Sequence, residues 1–286
     1  MTLPTLRPGV RFMVGSGLAF AGMAACVKLV GARIPSQEIV LARALISLVL
    51  SLALLARAGL SPWGTRRGLL LLRGAFGCAG LSCVFYAVTH LPLAEATVLQ
   101  YLHPPFTAAL AAVALREQVG RALALSLALG LAGVVLVARP DLLTGASAAL
   151  LDPFAVGVAV AGAFLSACAY VVVRRLAPLE HPLVIVFYFP LVTVPVSLPT
   201  LVGHAVWPRG LEWFWLGAVG VLAQLGQVWL TRGMQHEPAG RATALSYLQV
   251  LFAAALGLLV FGEWPPPAAV AGAALILGGA FLAARR

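Results

Sequence analysis

Long apolar stretches separated by short polar ones set the pattern of this chain. Ten stretches approach the roughly 20 residues that a helix needs to cross the hydrocarbon core of a bilayer. They run over 11–30, 37–56, 69–89, 94–115, 121–138, 153–173, 182–202, 212–231, 239–260 and 267–284. Ala96–Leu115, Pro153–Val173 and Ala242–Gly262 contain no charged residue. The apolar–polar alternation of a lipid-embedded barrel strand is absent. The connecting segments are short and hold most of the charge. Their boundaries carry Ser61-Pro62-Trp63-Gly64, Trp207-Pro208-Arg209-Gly210 and Trp264-Pro265-Pro266-Pro267. Tryptophan at helix ends suits the membrane–water interface. The pattern predicts an all-α integral membrane protein with ten transmembrane helices.

The composition agrees. Hydrophobic residues make up 62% of the 286 residues and charged ones 10%, against about 45–50% and 25% in soluble domains. The net charge of +10 does not imply nucleic acid, because the basic residues are scattered over short loops instead of forming one face. With the N-terminus inside, fourteen arginines fall on the inner side, Arg7, Arg11, Arg73, Arg285 and Arg286 among them. Three fall outside: Arg33, Arg139 and Arg209. This asymmetry predicts both termini in the cytoplasm and a multi-pass protein of the cytoplasmic (inner) membrane. Lys28 and Arg43 lie within spans, near their outer ends, where they are expected to snorkel to headgroups or to pair with Glu38, with a substrate-carboxylate contact as the alternative for Lys28. Cys26, Cys78, Cys83 and Cys168 all fall in apolar segments and read as small buried hydrophobes, not as disulfides or metal ligands. No cofactor and no metal site is expected.

The chain repeats itself. Laid on 242–285, residues 96–139 match at 18 of 44 positions without a gap, where Ala- and Leu-rich helices match by chance at about one in ten. The matches include Thr97/Thr243, Tyr101/Tyr247, Phe106/Phe252, Glu117/Glu263, Gly133/Gly279 and Arg139/Arg285. His90/His236 and Pro92/Pro238 keep the same offset of 146; further upstream Phe12/Phe154, Gly15/Gly157, Cys26/Cys168 and Glu38/Glu180 follow an offset of 142. The repeats are expected at 1–140 and 153–286, five helices each. An odd number of spans inverts the second copy, as in secondary transporters whose substrate site lies at the midplane between repeats.

The stretch from Ala96-Thr97 through Pro105-Phe106-Thr107 to Arg116-Glu117, Gly130 and Gly133 resembles the drug/metabolite transporter superfamily, in particular its EamA branch. The second copy resembles it through Ala242-Thr243, Phe252, Phe261-Gly262-Glu263, Gly272 and Gly279, but has Val250-Leu251 where the first has Pro104-Pro105. The resemblance covers nearly the whole chain. It implies a ten-helix carrier of amino acids, sugars, nucleotide sugars or related metabolites; the overall character is similar to YddG-type amino-acid exporters.

Candidate site residues come from polar groups inside spans, which are costly against lipid and should face the bundle interior. Pro104 and Pro105 remove the amides that would pair with the carbonyls of Gln100 and Tyr101. Those carbonyls either face a cavity and accept from a substrate ammonium, or are satisfied within a packing kink. The repeat mates Tyr101 and Tyr247 either wall a midplane cavity or pack in the core. Gln100, His103 and Gln249 share their helices; Gln224, Gln227 and Trp229 mark the eighth span and Tyr86 the third. Substrate binding and plain inter-helix hydrogen bonding are both open for these. His103 is either a proton carrier or a hydrogen-bonded core histidine. All nine acidic residues lie at or near span ends, which speaks against a pump built on an intramembrane carboxylate.

The expected function is a secondary transporter exporting small metabolites by alternating access, amino acids first, with a sugar, nucleoside or polyamine-like metabolite as the alternative. Its partners are that substrate and the bilayer, with no nucleic acid. An intramembrane enzyme would need a Ser–His or Asp pair or an acid cluster within spans, and a channel would need a charge ring or a carbonyl filter motif; neither set is visible. Two internal repeats already supply the symmetry that smaller relatives obtain by dimerising, so a monomer is expected.

Overall fold

The computed structural model describes residues 7–138, 152–201 and 206–284. Arg139, Arg285 and Arg286, three of the seventeen arginines counted for orientation, lie outside the described residues. The described chain forms α1 (Pro8–Val30), α2 (Ser36–Arg57), α3 (Arg67–His90), α4 (Leu93–Gln100), α5 (His103–Ala114) and α6 (Arg121–Ala138). The second copy forms α7 (Pro153–Leu176), α8 (Pro182–Ser197), α9 (Glu212–His236), α10 (Ala239–Leu245), α11 (Leu248–Phe261) and α12 (Pro267–Ala284). Among the described residues, eight helical segments have the length and hydropathy of a membrane span, counting Ala239–Phe261 as one. The shorter apolar helix α8 and the pair α4–α5 complete ten crossings. Residues 198–201 leave the expected 182–202 span as a 3₁₀ turn, just after Pro195 has removed one amide of the helical ladder.

Ten alternating crossings define two faces. The ends at Pro8, Arg57, Arg67, Ala114, Leu176, His236 and Ala284 lie on one, here the terminal face; Val30, His90, Leu93, Ser197 and Phe261 lie on the other, the distal face. Packing respects an exchange of the two repeats. α1 packs on α9 as α7 packs on α3, α1 on α11 as α7 on α5, and α2 on α9 as α8 on α3, while α2–α8 and α6–α12 meet across the axis. The glycines follow: Gly74/Gly220 and Gly80/Gly226 carry the 146 offset through α3 and α9.

Small residues set the closest approaches, which in a lipid solvent rest on van der Waals packing. A Cβ on Gly133 would sit 2.6 Å from the Gly272 carbonyl oxygen, and one on Gly272 2.6 Å from that of Gly133. The repeat-related contact is polar: the Ser126 hydroxyl donates to the Gly279 carbonyl at 2.7 Å. Each half also ends a loop with an acid. The Glu180 carboxylate accepts from the Thr65 and Arg66 amides and the Thr65 hydroxyl at the start of α3, and its mate Glu38 accepts from the Val206 amide ahead of α9.

Candidate central cavity

Two of the spans are broken at mid-depth, and the breaks are repeat mates. The first falls at Tyr101-Leu102, between α4 and α5, and the second at Ser246-Tyr247, between α10 and α11. In the first copy Pro104 and Pro105 occupy the opening turn of α5, where a helix has no partner for its amides anyway. The break therefore lies just ahead of the prolines. The Tyr101 carbonyl is taken by the Tyr247 hydroxyl at 3.3 Å. The second copy has no proline there; the Ser246 hydroxyl donates to the Thr243 carbonyl at 2.6 Å and the Gln249 amide bonds back to Ser246. The geometry of the break thus survives without the residues that announced it.

A cavity opens between these breaks. α1 contributes Ser16, Gly17 and Phe20, α2 Arg43, α3 Arg73, Gly77 and Leu81, the breaks Gln100, Tyr101, His103, Ser246 and Gln249, α7 Ser166 and Tyr170, α8 Phe189 and α9 Gln227. Leu81 also lines a second pocket toward the distal face, with Gln37, Tyr86, His90 and Ser197.

The structure brings Gln100, Tyr101, His103, Gln227 and Gln249 to the cavity wall. Tyr247 stands one layer behind, buried, its ring 5.8 Å from that of Tyr101 and pressed on Gly130, where a Cβ would come within 2.2 Å. Three candidates are elsewhere. Gln224 donates to the Ser51 hydroxyl at 2.8 Å, a buried bond between α9 and α2. Trp229 packs over Gly15 of α1. Tyr86 stacks on His90 with ring centres 3.9 Å apart, in the distal pocket. The His103 ring lies 5.1 Å from that of Tyr170, and its buried Nδ1 has no hydrogen-bond partner.

The main residues that sequence reasoning passes over are two arginines. Arg73, assigned above to the inner loops, lies inside α3 and is 3% exposed. Its Nη2 donates to the Gln227 side-chain oxygen at 2.9 Å, its Nε is buried without a partner, and its guanidinium carbon is 5.0 Å from the centre of the Phe189 ring. Arg43 does not pair with Glu38. Its guanidinium carbon lies 5.5 Å from the centre of the same Phe189 ring, on the cavity wall. Among the described residues no carboxylate pairs with either. Lys28 pairs with Glu263 on the distal face and lies over the Phe261 ring. The signal that could have found the arginines is a simple one: a cation two turns inside a span is a site candidate until a partner is found.

The two faces differ in closure. On the terminal face α5 packs against α10, whereas the mate pair α4 and α11 barely touch on the distal face. Six of the seven residues of α10 are buried, and none of α11.

Both copies match the EamA-like transporter family, over residues 7–139 and 153–285. The chain belongs to the EamA-like transporter family. It is 35% identical over 280 residues to the pseudopaline exporter CntI of Pseudomonas aeruginosa, covering 97% of this chain and 96% of that one. It is 26% identical over 221 residues to human solute carrier family 35 member G1, covering 74% of this chain and 60% of the carrier. A crystal structure at 24% identity superposes with a TM-score of 0.81 over 96% of each chain, which speaks for the shared fold alone. This member of the EamA-like family is a multi-pass membrane transporter and not an enzyme.

Proposed function

We propose that this transporter exports small amino-acid-type metabolites across the cytoplasmic membrane by alternating access, as a monomer, with both termini in the cytoplasm. The observation that carries the reading is the cavity between the mated helix breaks, shut at the terminal face and parted at the distal face. In this reading the structure is the outward-facing state, and exchanging the packing of α5–α10 for that of α4–α11 produces the inward-facing one.

The wall supports this substrate class. A guanidinium suits a carboxylate through paired N–H donors, and the Gln100, Gln249 and Tyr170 side chains offer acceptors to an ammonium. A neutral sugar or nucleoside would leave the cations of the wall uncompensated, which disfavours that alternative. A relative at 35% identity, an exporter by name, supports the direction.

Counterflow in proteoliposomes tests this. Vesicles preloaded with an unlabelled amino acid are expected to take up the labelled compound saturably, and Tyr101→Ala is expected to lower that uptake severalfold. No exchange across a panel of neutral, basic and acidic amino acids overturns the substrate class; flux that never saturates overturns the carrier.

A further inference from the structure

We infer that the transported species carries two carboxylates, one for Arg43 and one for Arg73; this rests on the amino-acid-type reading above and narrows it to acidic substrates. A lone arginine in the wall would be met by the single carboxylate of any amino acid. Here two guanidiniums share one aromatic ring, so they are within reach of one small molecule. An arginine two turns inside a membrane helix is costly unless it is paired or faces a wet cavity. The ring quadrupole of Phe189 offsets a fraction of that. The Gln227 oxygen occupies one of the five N–H donors of Arg73, and the buried Nε remains unbonded. No described carboxylate pairs with either cation.

The fold itself does not require these charges. At the 142 and 146 offsets, the repeat mates of Arg43 and Arg73 are Ile185 and Val219, both completely buried apolar residues. The second copy builds the same helices with an aliphatic side chain in each place. Both cations therefore belong to one copy, on one wall of the cavity, where they impose an asymmetry on an otherwise symmetric site. Two like charges held close in a low-dielectric wall repel each other. A ligand with one carboxylate compensates one of them; a ligand with two compensates both and bridges the gap over Phe189. Arg43 is rooted in the distal half of α2 and Arg73 in the terminal half of α3, so the two side chains converge on Phe189 from opposite sides of the midplane.

The experiment compares labelled glutamate and succinate with labelled threonine in counterflow, for wild type, Arg43→Gln and Arg73→Gln, and follows thermal unfolding of each purified protein with and without glutamate. Glutamate and succinate are expected to exchange at least tenfold faster than threonine. Each substitution is expected to abolish that preference and to erase the upward unfolding shift given by glutamate. Without ligand both variants are expected to unfold at the wild-type temperature or above it, because a charge with no carboxylate partner has been removed from the wall. A lower unfolding temperature for both ligand-free variants makes the arginines structural and overturns the inference. Threonine exchanging as fast as glutamate overturns it too, while leaving amino-acid transport standing. Exchange of none of the three compounds, with none shifting the unfolding of wild type, overturns it together with the amino-acid reading.

Discussion

The terminal and distal faces are built from the same repeated parts, yet the broken helices are tied together at one and parted at the other. Glu117 and Glu263 are repeat mates in the same local geometry. Each follows a residue of positive φ, Arg116 at 56° and Gly262 at 67°, and each returns its amide to a helical carbonyl, of Ala111 and Gly257. Their carboxylates do different things. Glu117 accepts from the Ala239 amide at 2.8 Å, at the start of α10, and pairs with Arg174 of α7 at 3.0 Å. Arg174 also donates to the Met234 carbonyl at 2.7 Å, at the end of α9. One acid thus ties the ends of α5, α7 and α9 to the start of α10. Glu263 meets only the exposed ammonium of Lys28 among the described residues, and Leu93, the mate of Ala239, is 68% exposed. The lesson is that a latch sits where the broken helices have come together, and its unused copy waits where they have parted.

The largest effect should come from freezing the tied face. A Cβ on Gly240 would lie 3.0 Å from the Cβ of Ala108, close enough for a disulfide after small relaxation. With the four native cysteines replaced by alanine, Ala108→Cys with Gly240→Cys is expected to cross-link on oxidation and to reduce counterflow by more than tenfold. Reductant should restore it. Transport that continues at full rate through the cross-link would show that this contact never opens.

Next comes the latch. Glu117→Ala strands Arg174 and uncaps the first turn of α10, at a cost of about 2–3 kcal/mol from charge-assisted hydrogen bonds. If, as proposed, the terminal face opens during transport and these bonds break with it, the cost shifts the equilibrium between states by more than tenfold. A cysteine at position 108 is then expected to react faster with a polar maleimide from the terminal side. Unchanged reactivity would mean that apolar packing of α10, and not the acid, holds this face.

Glu180 sharpens the same contrast in pH. Burial works to raise its carboxyl, but the Thr65 hydroxyl and the Arg66 and Thr65 amides outweigh it and hold the group below its usual value. Stability from a depressed acid is complete above the unfolded value of about 4.3 and is lost as pH falls through the folded one. Thermal unfolding should therefore fall below about pH 4, and Glu180→Gln should flatten that slope.

Much of this was legible in the sequence, and the reasons are physical. Membrane helices announce themselves by length and hydropathy, so 121–138 and 267–284 match their helices residue for residue. The repeat was legible because Glu117/Glu263, Gly133/Gly279 and Tyr101/Tyr247 stand at corresponding sequence positions in both copies. The helix breaks were only half legible. Proline marked the first, while the second depends on Ser246 and Thr243 turning inward, which no one-letter pattern distinguishes from a continuous span. Among the polar residues, side chains on a single helix separated by one turn went to different fates, Gln227 to the cavity and Gln224 to Ser51, because the face of α9 that meets α2 is fixed only by packing. Arg43 and Arg73 were hidden by their own plausibility as interfacial cations, since snorkelling and cavity lining look alike until the neighbouring helices are in place.

The smallest expected effect belongs to the idle latch. Lys28 and Glu263 are both half exposed or more, with side chains 50% and 57% accessible, so the pair contributes at most about 0.5 kcal/mol. Lys28→Ala and Glu263→Ala should each leave thermal unfolding within a degree or two in this state. Their kinetic effects should part company. Under the alternating-access proposal Glu263 takes up, in the opposite state, the role that Glu117 has here, capping the start of α4 at Leu93. Lys28 has no second role of that kind, because its repeat mate at the 142 offset is Tyr170, and Arg174 lies a full turn further along α7. Glu263→Ala is thus expected to slow counterflow severalfold with stability unchanged, and Lys28→Ala to slow it little. Equal and negligible effects of both on transport would mean that the distal face closes without an acid, and that the likeness of Glu117 and Glu263 is a relic of duplication and not a shared mechanism.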